Sequence, residues 1–351
     1  MAGQLQAYSF INAKLRARIG ELAERSFFRS LASSASVDDA VSSLAEHGFT
    51  DVAEAYRDTG DVRMCEQVLY RREVEILLEV ERHFDEARRA FVSALGDRYE
   101  IENVKTALRL WFESAVRGKH VESKIAYLSR ESVHRKVDLD AIVNAASAED
   151  IPAALADTPY EAAVSRNLER MRTTGSLFWT ERALDCDYFE RVLDTVGRLP
   201  ERDRKPALDF VSLEADRENV FWILRGMSYY RLGEQEVLSG VVPGGSMFDH
   251  RSLREIARSG QPASAVLERL GAVSAAGPRD GGRQARELEV IDAALDETMD
   301  RLVHRYHGSY PFTMGIVLAY YVLVQRQIHR VATVLNGLAY GLSAQTLEAA
   351  L

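Results

Sequence analysis

A helical pattern recurs along this 351-residue chain at long, nearly constant intervals. A repeat constrains a fold more than any single motif, because every copy must take the same structure. Asn103-Val104-Lys105-Thr106-Ala107-Leu108-Arg109 resembles Asn219-Val220-Phe221-Trp222-Ile223-Leu224-Arg225. Both place Asn and Arg six residues apart, and both follow a glutamate, Glu102 or Glu218. The segment from Asn12 to Arg18 carries a similar pair. A weaker copy begins at Arg330 and runs through Val331, Val334 and Leu335 to Asn336, with Asn and Arg exchanged.

Each copy reads as an amphipathic helix. Val104, Ala107, Leu108 and Trp111 fall at i, i+3, i+4 and i+7, as do Val220, Ile223, Leu224 and Met227. That spacing draws one apolar stripe on a helix of 3.6 residues per turn, and the Asn and Arg sit at its edge. A second marker follows each copy, a Ser with a Leu eight residues on: Ser36, Ser147, Ser259 and Ser343. These read as short capped helices, since Ser accepts from a first-turn N–H and acidic residues favour the first turn. Ser36 to Ser147 is 111 residues, Ser147 to Ser259 is 112, and Ser259 to Ser343 is 84.

The chain therefore divides into an N-terminal half-unit (1–44) and three helical units, 45–155, 156–267 and 268–351. The predicted class is all-α: three similar bundles in series, each needing its neighbours to bury its apolar face. Only 8 prolines interrupt the chain, which leaves room for long helices because proline costs about 3 kcal/mol in a helix interior. Val241 to Gly245 reads as a turn, and Gly277 to Gly282 as a polar, mobile linker.

Charge and composition exclude several classes. The net charge is −9 and no block of five like charges occurs, so no nucleic-acid footprint is present. Cys65 and Cys186 stand alone without a CxxC, which points to a reducing cytoplasm rather than a disulfide framework. The first twenty residues carry Lys14, Arg16 and Arg18 on an amphipathic pattern and do not read as a signal peptide. The most apolar run, Met314 to Val324, is far short of the ~20 residues of a membrane span and reads as a buried helix.

Catalytic motifs fail in turn. Neither glycine-rich stretch has the GxxxxGK[ST] or GxGxxG form of a phosphate cradle, and no GxSxG elbow occurs. Glu131-Ser132-Val133-His134 has the Glu-x-x-His spacing of di-iron bundles, but such sites need two copies and this chain has one. His304 and His307, one helical turn apart, form a second possible metal edge. Repeated Asn and Arg at stripe edges tie helices together or line a shared surface. Trp111, Trp179, Trp222, Tyr229-Tyr230 and Tyr320-Tyr321 are read as core.

Ala7-Tyr8-Ser9-Phe10-Ile11-Asn12-Ala13-Lys14-Leu15-Arg16-Ala17-Arg18, followed by Ser26-Phe27-Phe28, resembles the start of the C subunits of archaeal and bacterial V/A-type ATPases, the counterparts of the eukaryotic d subunits. Leu213 to Val220, the loop Val242 to Gly245, and Gly315 to Tyr321 running on to Arg330 and Leu335 are similar to later parts of that family. The resemblance spans the whole chain. Gln325 to Ile328 departs from it by replacing acidic residues, and the Gly277 to Gly282 linker by its length.

The resemblance implies three pseudo-threefold-related bundles forming a funnel or cup. It implies a cup that receives the central-stalk coiled coil and an opposite face seated on the membrane proteolipid ring. It implies torque transmission, no cofactor, no metal, no active site, and a place on the cytoplasmic face of the membrane through the complex. Candidate stalk-interface or inter-helix residues are Asn12, Arg18, Glu102, Asn103, Arg109, Glu218, Asn219, Arg225 and Arg330. Two other readings stand beside it. One is a helical-repeat scaffold for other cytosolic partners, shaped as an open solenoid. The other is a helical metalloenzyme built on Glu131, His134, His304 and His307.

Overall fold

The computed structural model describes residues 2–125, 128, 129, 133–272 and 281–351. Among them every regular element is a helix and no strand occurs. Helices α1 (Ala2–Gly20), α2 (Arg25–Ala32), α3 (Val37–Glu46), α4 (Thr50–Thr59) and α5 (Val62–Glu81) lead into α6 (Glu86–Trp111), which widens into a π-helical turn, Phe112–Val116. Then come α7 (Glu122–Ile125), α8 (Leu139–Val143), a 3-10 turn at Ala148–Asp150 and α9 (Ile151–Ala154). Next are α10 (Glu161–Thr174), α11 (Phe178–Arg198) and α12 (Glu201–Ser228), followed by α13 (Glu234–Ser239), α14 (His250–Arg258) and α15 (Pro262–Leu270). The chain finishes with α16 (Gly281–Gly308), α17 (Met314–Ala339) and α18 (Ala344–Ala349).

Local chemistry sets the ends of these helices. Ser36 accepts from Asp39 N at 3.1 Å, Asp249 from Ser252 N at 2.8 Å, and Ser343 from Thr346 N at 3.2 Å; each satisfies an N–H that the first turn leaves free. Ser147 caps the 3-10 turn with a reciprocal bond from its own N–H to Asp150. Ser259 departs from the expected capping role. It closes the C-terminus of α14, and the next helix starts from Gln261 with Pro262 in its first turn, where a missing N–H is harmless. The predicted linker is also shorter at one end, because Gly281 already belongs to α16. Gly277 to Asp280 lie outside the described residues, as do Glu131 and Ser132.

The three long helices that carry the repeat, α6, α12 and α17, each pair with the helix before them: α5 with α6, α11 with α12, α16 with α17. Each also packs on the first helix of another pair: α6 on α11, α12 on α16, and α17 on α5. The order of contacts therefore returns to its start. Residues Met314 to Val322 of α17 are all buried, as expected of a core helix, and no helix among the described residues is long and apolar enough to cross a membrane.

The contacts at one end of the pairs converge on a buried ion pair. Asp203, in the first turn of α12, is fully buried and accepts from Arg88 Nε at 2.8 Å, Tyr8 OH at 2.9 Å and Met314 N at 2.9 Å. Arg88 lies in the first turn of α6 and Met314 opens α17. The starts of all three long helices and α1 thus meet on one carboxylate.

The N-terminal segment lies across the α5–α17 junction. α1, α2 and α3 pack on α17, and α18 packs on α2. Arg16 donates to His307 O at 3.0 Å, and Ala23 N donates to Gln327 Oε1 at 2.8 Å. Lys14 and Arg18 both hold Glu79 of α5. Burial raises the pKa of Glu79, but the bonds from Arg18 and Lys14 outweigh it and hold the carboxyl below its ordinary value.

A depressed carboxylate pKa gives stability that is present above the unfolded value, near pH 4.5, and is lost as pH falls through the folded one. We therefore expect α1 amides to lose hydrogen-exchange protection, corrected for intrinsic rates, between pH 5 and pH 3. In Glu79→Gln that protection is already low at pH 7 and shows no such step. Equal protection in both proteins at both pH values would disprove this account of the clamp.

Candidate functional site

A cavity of about 940 Å³ lies among α6, α11, α12, α16 and α17. Its walls follow from helical spacing. Arg98, Glu102, Lys105 and Arg109 fall at i, i+4, i+7 and i+11 on α6 and share one face; Glu214, Glu218, Phe221 and Arg225 do the same on α12. The opposite faces of both helices are packed in the core, with Val104, Leu108, Val220 and Ile223 all fully enclosed. Seven lysines and arginines and eight aspartates and glutamates line the space. The near balance of charge makes it unsuited to a polyanion and suited to a polar partner surface of mixed sign.

Most of these charges are paired across helices. Lys105, itself buried, reaches Glu102 at 2.9 Å and Asp185 of α11. Burial favours its neutral amine, yet Asp185 and Glu102 outweigh burial and raise its pKa. Arg109 holds Glu181 of α11 through two bonds of 2.8 Å. Arg182 of α11 bonds Glu218 of α12 and the carbonyl of Gly240, and its guanidinium lies 4.3 Å from the Trp222 ring. Arg217 spans from α12 to Asp292 and Asp296 of α16. These pairs tie neighbouring helices together around the space without filling it.

The structure divides the nine residues singled out from the repeat. Glu102, Arg109, Glu218 and Arg225 line the cavity. Asn103 and Asn219 lie behind it, buried. Asn219 donates to Val242 O at 2.9 Å and accepts from Val242 N at 2.8 Å, which fixes the Val242 to Gly245 loop. Asn103 lies beside the Tyr70 hydroxyl. Asn12 accepts from Arg16 on its own helix at 3.1 Å. Arg18 is engaged by Glu79, and Arg330 lies over the Phe28 ring at 5.5 Å, so neither faces the cavity. Lys105, Arg182, Asp185 and Arg217 were missed; for Lys105 the row it shares with Arg98, Glu102 and Arg109 was the available signal.

The loop after α12 is held by a second buried carboxylate. Asp216 accepts from the backbone N–H groups of Ser246, Met247 and Phe248 at 3.1, 2.8 and 2.9 Å. A Cβ on Gly245 would come within 2.5 Å of Asp216 Oδ1, so only glycine lets the loop approach this closely.

Two of the described metal-ligand candidates, His134 and His304, are engaged by separate partners. His134 is committed to Glu81 at 2.6 Å, and His304 Nδ1 contacts the Asp300 carbonyl of its own helix at 2.9 Å. No group of three His, Cys, Asp or Glu suited to a metal occurs among the described residues. Burial pushes both thiols, Cys65 and Cys186, up to about 11, a poor state for a nucleophile at neutral pH.

One reading of the aromatic residues is corrected. Trp111, Trp222, Tyr320 and Tyr321 are core, but Tyr229 is 79% exposed and Tyr230 50% exposed. Both follow directly on α12, and Tyr230 lines the cavity. A smaller groove of about 440 Å³ adjoins it, shares Arg109, Phe178, Glu181 and Tyr230, and extends to the π-helical turn at Phe112 and Glu113.

The sequence matches the family described as ATP synthase (C/AC39) subunit over residues 11–350. It is similar to the C subunit of the A-type ATP synthase of Thermococcus kodakarensis, with 22% identity covering 97% of this chain and 89% of that protein. The protein of the same name from Thermococcus onnurineus is 22% identical over the same shares of each chain. That of Methanosphaera stadtmanae is 23% identical, covering 89% of this chain and 79% of the relative. With a match that takes in nearly every helix described above, the chain belongs to the ATP synthase (C/AC39) subunit family.

Proposed function

We propose that this chain is the non-catalytic coupling subunit of a rotary A/V-type ATP synthase, joining the central stalk to the membrane rotor ring and carrying torque between them. The observation that carries the reading is the charged cavity enclosed by helix pairs whose packing order closes on itself. In this reading the units 45–155, 156–267 and 268–351 are pseudo-threefold copies arranged as a cup. The half-unit 1–44 completes the third, because α2 and α3 lie against α17 where that unit's own chain is short.

Physical chemistry supports the assignment. A torque coupler must be stiff, and dense helical cores are nearly incompressible. A stalk seated by polar contacts can be held in one register and still detach, because mixed charges specify orientation more than they add affinity. The chain has no helix suited to crossing a membrane among the described residues, so its contact with the membrane sector runs through the proteolipid ring.

The test is affinity purification from gently solubilised membranes with partners identified by mass spectrometry. Stalk subunits, ATPase head and proteolipid ring are the expected companions. Arg109→Glu with Arg225→Glu is expected to lose the stalk while keeping the ring. Recovery of none of these partners, from membranes whose ATPase is intact, would leave only a helical-repeat scaffold.

A further inference from the structure

The end of α12 differs from the glycine-closed helix ends of the chain, and shares a non-glycine left-handed residue only with Asp157 after α9 among the described residues. Gly60, Gly175 and Gly271 close α4, α10 and α15 with positive φ, the conformation that glycine adopts without strain. After α12 the left-handed position is taken by Arg231, at φ 53. The turn is otherwise regular: Tyr229 N and Tyr230 N both donate to Arg225 O, at 2.9 and 3.1 Å, and Leu232 N reaches back to Gly226 O at 2.9 Å. An arginine held in a strained conformation at an exposed turn indicates a use for its side chain.

The turn presents a stiff aromatic platform. The Tyr230 ring lies 4.7 Å from Phe178, which stacks on Trp222 at 5.2 Å, and Trp179 meets Trp222 at 5.9 Å. Tyr229 meets Tyr230 edge-on at 5.1 Å and otherwise projects into solvent. Around it stand three guanidiniums with no carboxylate partner among the described residues: Arg225, Arg231 and Arg170, the last lying 3.8 Å over the Trp179 ring. Arg109, Arg182, Arg217 and Arg326, which line the same cavity, each have at least one. Cations left unpaired beside exposed tyrosines complement an acidic surface with apolar side chains among its charges.

We propose that Tyr229, Tyr230, Arg225 and Arg231 form the anchor for an acidic, amphipathic helix end of the central stalk, seated at the mouth of the cavity. This rests on the coupling reading and names the chemistry of its stalk contact. The tyrosines supply rigid contact area that loses little side-chain freedom on binding, and the arginines set the partner's sign and register.

The experiment measures binding of the full chain to the purified central-stalk subcomplex of the same ATPase, at several salt concentrations. Tyr229→Ala with Tyr230→Ala is expected to weaken binding by about 30-fold or more. Arg231→Gly, which relieves the left-handed strain and keeps the fold, is expected to raise thermal stability, weaken binding and flatten its salt dependence. If the wild-type chain does not bind the stalk, the coupling reading fails and the anchor with it. If the wild type binds and the folded variants bind equally well, the anchor alone is overturned.

Discussion

Asp203→Ala lowers the unfolding free energy by about 3–5 kcal/mol, the cost of removing the buried member of an ion pair from its buried partner. Asp203 has no exposed surface and Arg88 is 5% exposed. Removing the carboxylate leaves the Tyr8 hydroxyl and the Met314 N–H without their acceptor, and Arg88 with only the largely exposed Asp85 as an ion-pair partner. The starts of α6, α12 and α17 lose their common acceptor, so the loss falls on the whole assembly. Urea unfolding followed by far-UV circular dichroism measures it.

Asp203→Asn keeps the shape and one acceptor oxygen but not the charge, and is expected to cost less than Asp203→Ala. The double change Asp203→Ala with Arg88→Leu is expected to recover part of the loss, since no buried cation lacking its buried partner then remains. Full additivity of the two single changes would mean that the residues do not act as a pair.

Trp222→Ala is the second large effect, again about 3–5 kcal/mol, from lost contacts and the cavity that a truncated indole leaves. The ring is 6% exposed and fits so closely under the α13 end that a Cβ on Gly240 would lie 2.3 Å from it. Its Nε1 donates to Val237 O at 2.7 Å. It also supports Phe178 and the stacked Arg182 guanidinium. The same substitution removes the floor beneath Tyr230, so stalk affinity falls together with stability. Trp222→Phe keeps most of the floor and removes one of the two bonds to the Val237 carbonyl, which still accepts from Gly240 N at 3.2 Å, at about 1 kcal/mol. Differential scanning calorimetry beside the binding assay separates the two effects. A Trp222→Ala protein as stable as the wild type would show that the indole is not a packing element.

The helices and their buried faces were legible because 3.6-residue periodicity is a local property. The stripe Val104, Ala107, Leu108, Trp111 needed no knowledge of what it packs against, and all four residues are buried. Four residues of the cavity wall were legible for a related reason. Glu102 and Arg109 recur as Glu218 and Arg225, and a repeated polar edge marks a shared surface.

What failed depended on contacts between distant segments. Arg330 looked equivalent to the other repeat residues, but its surroundings are set by the N-terminal segment, which brings Phe28 beneath it. Tyr229 and Tyr230 were misread because large aromatic side chains are more often core than surface. The helix stops at Ser228, however, and the left-handed Arg231 turns the chain away. Periodicity gives the face a residue occupies only while the helix lasts.

The order of contacts that runs from α5 through α6, α11, α12, α16 and α17 and back to α5 changes how the molecule answers a mechanical load. In an open stack of helices a twist applied at one point reaches another by a single route, and the most compliant contact sets the response. A closed circuit offers two routes in parallel, so the softest junction bears only part of the strain. The junction between the two ends of the circuit, α5 with α17, is also the one over which α1 lies and where Lys14 and Arg18 grip Glu79. The N-terminal segment thus braces the circuit at the one place where no covalent connection joins neighbouring pairs.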